Sequence, residues 1–247
     1  MTFPPGRFLT AALLLVAVSA ATPSAPAAPA GSDTPVPPSL TSAQIVEQMR
    51  LHNDARTRAL KHWKALRHYK VEYRGFNADV TAAMEVEAEY DPDSGKTFRI
   101  VSQTGSKFIC DKVIKRAVES EREASLDKGA TAITSANYTF RLEGTDTFAG
   151  RPSYVLSVEP IAPSKFLYRG KIWVDAADFA VAKIEAQPAK NPSFLISQAL
   201  IHYTSAKTGD FWFPQFNRSE SKVRIGGTAV LTIDYGAYQV SPMTLPR

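Results

Sequence analysis

The chain has one cysteine, Cys110, and four histidines among 247 residues. A lone cysteine excludes an internal disulfide framework. Its place in the apolar run FICDKVI reads as a small core residue and not a nucleophile. His52, His62, His68 and His202 show neither HxxxH nor HxH spacing, so no metal site is expected. The sequence lacks GxSxG, a Gly-rich phosphate loop and CxxC, so no catalytic residue and no cofactor is expected, and the chain does not read as an enzyme. It also lacks a strong charge of one sign. Lys and Arg total 29 against 24 Asp and Glu, a net +5 that is scattered along the chain. That excess permits contact with an anionic membrane surface but does not point to nucleic acid, and no nucleic-acid partner is expected. No solenoid-type repeat is present.

The N-terminus is read as a secretory signal over residues 1–21. Arg7 supplies the positive end, Phe8 to Val18 the apolar stretch, and Ser19, Ala20 and Ala21 the small residues that follow. The apolar run is short for a bilayer, which needs about 20 such residues. Residues 22–39 are rich in Pro and Ala and have little to bury, which reads as a disordered leader. Residues 40–247 are enough for one sizeable β domain. These features imply export to the periplasm.

From residue 69 the sequence alternates. Tyr69, Val71 and Tyr73 alternate with charged residues, as do Met84, Val86, Ala88 and Tyr90, and Tyr138, Phe140 and Leu142. A period of two means strands with one dry and one wet face, and runs of such strands joined by short turns mean an antiparallel sheet. Ten strands are expected, near 68–76, 82–91, 97–104, 137–145, 152–160, 165–175, 179–187, 194–206, 210–224 and 227–240. Asp91-Pro92-Asp93-Ser94-Gly95, Ala149-Gly150-Arg151-Pro152 and Asp175-Ala176-Ala177-Asp178 supply turns. The row Glu85, Glu87, Glu89 reads as the solvated side of a strand.

Two stretches have helical spacing. Over about 42–66, Ile45, Met49, His52, Ala59, Trp63 and Leu66 form one apolar stripe, and Thr41 or Ser42 can cap the start. Over about 106–126, Cys110, Val113, Ile114 and Ala117 face one way. The fold class is therefore mainly β (α+β): a large curved antiparallel sheet forming an open or half β-barrel, with these two helices covering its concave face.

The inward positions are the candidate ligand-binding residues: Tyr69, Val71, Tyr73, Met84, Val86, Phe98, Ile100, Phe140, Tyr154, Leu156, Ile172, Ile184 and Ile201. Two helices can cover part of such a face. Periodicity leaves open whether the remainder is a cavity or a filled core.

The segments GRPSYVLSVEP (150–160), KIWVDAADFAVAKIE (171–185), GDFWFPQFNRSE (209–220) and AVLTIDYGAY (229–238) resemble the LolA/LolB/RseB-like periplasmic lipoprotein-binding superfamily, which includes the outer-membrane lipoprotein-sorting proteins. The resemblance spans roughly 40–240. It implies an open barrel whose concave face, lidded by helices, receives the acyl chains of lipoproteins or another amphiphile, for sorting to the outer membrane. It also implies an inner- or outer-membrane partner protein, and the chain is expected to be a monomer. The alternative on the same fold is an envelope-stress sensor of RseB type, which would be expected to carry a further C-terminal domain.

Overall fold

The computed structural model describes residues 39–75, 79–191, 195–224 and 226–241. The signal segment and all but the last residue of the leader lie outside them. The first element is helix α1, Ser42–Ala59, opened by a capping box in which Thr41 Oγ1 accepts from the Gln44 amide while Gln44 Oε1 accepts from the Thr41 amide. It stops at Leu60, whose backbone is already extended.

The helix expected to reach residue 66 is therefore shorter, because His62–Arg74 is strand β1. Trp63 and Leu66 belong to opposite faces of that strand. Trp63, Ala65, Arg67, Tyr69 and Val71 are buried in alternation, while Leu66 and His68 are exposed. Spacing of three and four between Ala59, Trp63 and Leu66 imitates a helical stripe. Pairing of β1 on both sides overrides it.

The strands that follow are β2 (Asp79–Asp91), β3 (Gly95–Gly105), β4 (Tyr138–Phe148), β5 (Arg151–Pro160), β6 (Tyr168–Asp175), β7 (Val181–Pro188), β8 (Ile196–Thr208), β9 (Phe211–Val223), β10 (Thr228–Tyr235) and β11 (Gln239–Ser241). The strand expected over 227–240 is thus two, interrupted at Gly236, whose amide bonds Leu66 O. All pair antiparallel in one sheet ordered β3-β2-β1-β10-β9-β8-β7-β6-β5-β4, with β11 beside the start of β1. The sheet is open: β3 and β4 form its two edges and do not meet.

The turns form where the sequence places them. Asp91 Oδ1 accepts from the amides of Asp93 and Ser94 ahead of Gly95 at φ 75°. Ala149 and Gly150 both have positive φ, the requirement of a two-residue hairpin turn of type I′.

Consecutive strands β3 and β4 lie at opposite edges, so the chain between them must cross the sheet. It does so as a short helix α2 (Lys107–Ile109), a π turn (Cys110–Ile114), helix α3 (Lys115–Leu126) and helix α4 (Lys128–Thr131). No helix among the described residues is long and apolar enough to cross a membrane.

Candidate functional site

The inner face of the sheet carries two apolar clusters, each under its own helical cover. Beneath α1, Ile45, Val46 and Met49 pack on Tyr154, Leu156, Ile172, Val174 and Ile184, with Phe140 and Tyr203 at the margin. Beneath the α2–α3 segment, Ile109, Cys110 and Ile114 pack on Tyr69, Val71, Met84 and Val86, with Tyr73 and Phe98 at the margin. Cys110 is thus a core residue, its Sγ directed at Ala83 O and Thr104 O.

Between the covers the face changes character. In β9 the inward positions are Asn217, Ser219 and Ser221, paired with Tyr203, Ile201 and Ala199 of β8 and with Ile233, Leu231 and Ala229 of β10. A half-buried strip of small polar side chains therefore divides the two apolar fields.

The thirteen candidate residues consequently fall into separate groups. Tyr154, Leu156, Ile172, Ile184 and Phe140 belong to the first cluster, and Tyr69, Val71, Tyr73, Met84, Val86 and Phe98 to the second. Ile201 is half-buried beside the polar strip, and Ile100, on the edge strand, is 43 % exposed. In this state the helices occupy the space over the first two groups.

A depression of about 830 Å³ lies elsewhere, across β4 to β8, with only Phe140 and Ile201 of the thirteen in its lining. Register pairs Phe140, Val158, Gly170, Ala186 and Ile201 in one row across those strands. The flanking Thr139, Arg141, Glu159, Arg169, Glu185, Gln187 and His202 alternate to the outward side and wall the depression. Glu159 bonds Arg169 at 3.2 Å, so these charges are largely paired. Gly170 sits at φ 151° in mid-strand, where a Cβ would collide with the backbone of Glu185 and Ala186. Such a glycine marks a close approach of two strands.

The covers are tied to the sheet by a few polar links. Arg56 near the end of α1 donates to Asp178 O at 2.7 Å, and the His52 and Phe179 rings lie 5.2 Å apart. Asp178 stands in the tight β6–β7 turn, where Phe179 has φ 49°. Its carboxylate accepts from Arg151 and Lys207 at 2.9 Å and from Trp212 Nε1 at 3.1 Å. Burial opposes ionisation of Asp178, but the bonds from Lys207 and Trp212 outweigh it and hold the carboxyl below its ordinary value.

Helix α3 buries no residue completely; Val118 packs on the second cluster, and the helix's polar tie to the sheet is ionic. Arg67 projects from the inward row of β1 and is fully buried. Its Nη1 donates to Glu121 Oε2 of α3 at 2.6 Å, and Lys96 Nζ of β3 donates to Glu121 Oε1 at 3.2 Å. The guanidinium is caged by the rings of Tyr235, Phe98 and Trp63, at 4.8, 5.4 and 5.8 Å from their centroids. Burial alone would lower the Arg67 pKa and raise that of Glu121. Their attraction reverses both, so the pair stays ionised. Burial pushes the Tyr238 phenol up to about 12, with Arg67 pulling the other way.

Sequence reasoning missed this cluster. Its signal was an arginine occupying an apolar-parity position in the run Trp63, Ala65, Arg67, Tyr69, Val71. The outward face is as expected: Glu87 meets Lys64 and Arg99, Glu89 meets His62, and Glu85 meets His68. Among the described residues no group of three His, Cys, Asp or Glu side chains is placed to hold a metal ion.

No family model matches the sequence, and no curated protein matches it either. Several solved structures are similar in fold. A DUF1329 family protein from Desulfovibrio piger is 11 % identical, with TM-score 0.43, over 82 % of this chain and 94 % of that one. A putative outer membrane lipoprotein-sorting protein domain from Vibrio parahaemolyticus is 11 % identical, with TM-score 0.41, over 83 % and 96 %. A LolA superfamily protein from Nitrosomonas europaea is 11 % identical, with TM-score 0.37, over 83 % and 96 %. The last two fall in the group that the sequence resembles. Likeness of this degree carries no argument about activity.

Proposed function

We propose that the chain is an exported, non-enzymatic carrier. It takes the acyl chains of a lipoprotein, or of a similar amphiphile, between its sheet and its helical covers, and ferries them through the periplasm toward the outer membrane. In this reading residues 1–21 are the export signal, 22–39 a leader, and 40–247 the binding domain. The observation that carries the proposal is the inner face itself. Two apolar fields lie under helices that contribute only three buried residues each, one cover being Ile45, Val46 and Met49 and the other Ile109, Cys110 and Ile114.

A cover that buries so little can be exchanged for an acyl chain of similar area at modest cost. Each methylene taken from water contributes about 0.8 kcal/mol, so about ten of them supply about 8 kcal/mol. That corresponds to roughly micromolar binding, firm enough to shelter a lipid and weak enough to release it. The eleven candidates that lie under the covers are then contacts made when a cover lifts.

Native mass spectrometry of gently purified protein, with displacement of a fluorescent apolar probe, tests the reading. A bound lipid or saturable probe uptake is expected. Protein that carries no lipid and takes up no probe refutes it.

A further inference from the structure

Beneath α3 the protein encloses one positive charge more than it neutralises. Arg67 and Lys96 converge on a single carboxylate, Glu121. The Arg67 side chain is 1 % exposed, that of Glu121 26 % and that of Lys96 30 %, so Arg67 is the charge that water reaches least. Arg67 Nε makes no hydrogen bond of good geometry, and neither do the buried hydroxyls of Tyr69 and Tyr238, which lie against the guanidinium, its charge pulling both phenols down against their burial. A guanidinium offers five donors in a planar fork that matches two oxygens of one carboxylate or phosphate. Glu121 engages it through a single bond from Nη1. A buried donor left unmade is costly, and a buried charge without its counter-ion more so. The Nε edge of Arg67 beside the two phenols is the donor set that an oxyanion would engage.

We infer that this cage is the head-group subsite of the carrier and that its cargo is an anionic amphiphile. The cargo is an acyl chain ending in an oxyanion, the carboxylate of a fatty acid or the phosphate of a phospholipid. The inference rests on the carrier reading and narrows its ligand. The acyl chain would follow the same inward rows, along Val71 of β1 and Met84 and Val86 of β2, all buried in the cluster under α2–α3. The head would take Arg67 Nε and the two phenols, while Glu121 turns outward with Lys96. Two cations then face two anions, and the imbalance is gone. Glu121, carried by a helix that buries no residue of its own, is the built-in occupant that the ligand head displaces.

The test uses the purified full chain and the neutral fluorophore N-phenyl-1-naphthylamine, displaced by palmitic acid, methyl palmitate, dipalmitoyl phosphatidic acid or dipalmitoylglycerol. The two acids are expected to displace the probe at concentrations at least tenfold below those of their neutral counterparts. The better of the two acids identifies the head group. Glu121→Gln removes the competing charge at constant shape; it is expected to strengthen displacement by the acids several-fold more than displacement by the neutral lipids. Arg67→Gln is expected to abolish the preference, and Lys96→Gln, at a more exposed site, to weaken it if the arginine variant does not fold. Equal displacement by palmitic acid and methyl palmitate overturns the head-group assignment while leaving the carrier reading in place. A probe that never binds overturns both.

Discussion

Replacing Glu121 by alanine leaves the Arg67 guanidinium buried among Trp63, Phe98 and Tyr235 with its paired carboxylate gone. Breaking a buried pair from one side typically costs about 3 to 5 kcal/mol. Glu121 is 26 % exposed, so water can reach its place, and a loss of about 2 to 3 kcal/mol is the appropriate expectation. For a domain of this size each kcal/mol lowers Tm by about 2 to 4 °C, giving a fall of roughly 4 to 12 °C. The double variant Arg67→Met, Glu121→Leu removes both charges and fills the volume, and is expected to recover most of that loss. Thermal unfolding followed by circular dichroism on the wild type, Arg67→Met, Glu121→Leu and the double variant closes the cycle, with Glu121→Ala measured beside them. A Glu121→Ala change below about 1 kcal/mol, or additive single effects, refutes the claim that the ion pair holds α3 to the sheet.

Other outcomes follow from the same geometry. Ile45→Ala, at a position with no solvent exposure, removes about 2 to 4 kcal/mol of packing from α1. Amide exchange over 42–59 should accelerate by on the order of a hundredfold, while β5 and β6 stay protected; uniform acceleration would mean that α1 is no separable cover. Gly170→Ala forces a side chain into a φ 151° position against the β7 backbone and should cost about 1 to 3 kcal/mol, measured by urea unfolding; a neutral effect would contradict the close approach of β6 and β7. Arg67 and Lys96 hold the Glu121 carboxyl below its ordinary value of 4.5, so its contribution is present above that pH and lost as pH falls through the lower native value. The Tm advantage of wild type over Glu121→Gln should therefore shrink below about pH 4, and a constant difference down to pH 2 would refute the assignment.

Much of the fold was readable from one signal, alternation, because a half-buried strand leaves a period-two record wherever one face is wet. The hairpin at Ala149-Gly150 and the Asp91 turn were equally plain, since each depends on local chemistry. The start of β1 was not. His62–Arg67 has partners on both sides, and nothing local distinguishes its Trp63 and Leu66 from a continuing helical stripe. Misplacing that strand start hid Arg67, whose significance lies in its parity with Ala65 and Tyr69. Glu121 was hidden for a different reason. On a helix dense in charge, nothing in the sequence marks which carboxylate turns inward until the path of 106–137 across the sheet is known. The polar strip Asn217, Ser219, Ser221 was visible as residues, but its place between two apolar fields depends on the pairing of β9 with β8 and β10.

The seam between β1 and β10 joins residues 67–74 to residues 228–235. Until residues 228–235 are available, β1 lacks its long partner on one side and the β1–β3 meander has an unzipped edge. Contacts so distant along the chain make for slow folding and a long-lived sticky edge. This molecule therefore has a built-in reason to depend on a holding chaperone until its last strands arrive. Truncation anywhere before Thr228 should yield aggregates and not a smaller, soluble domain.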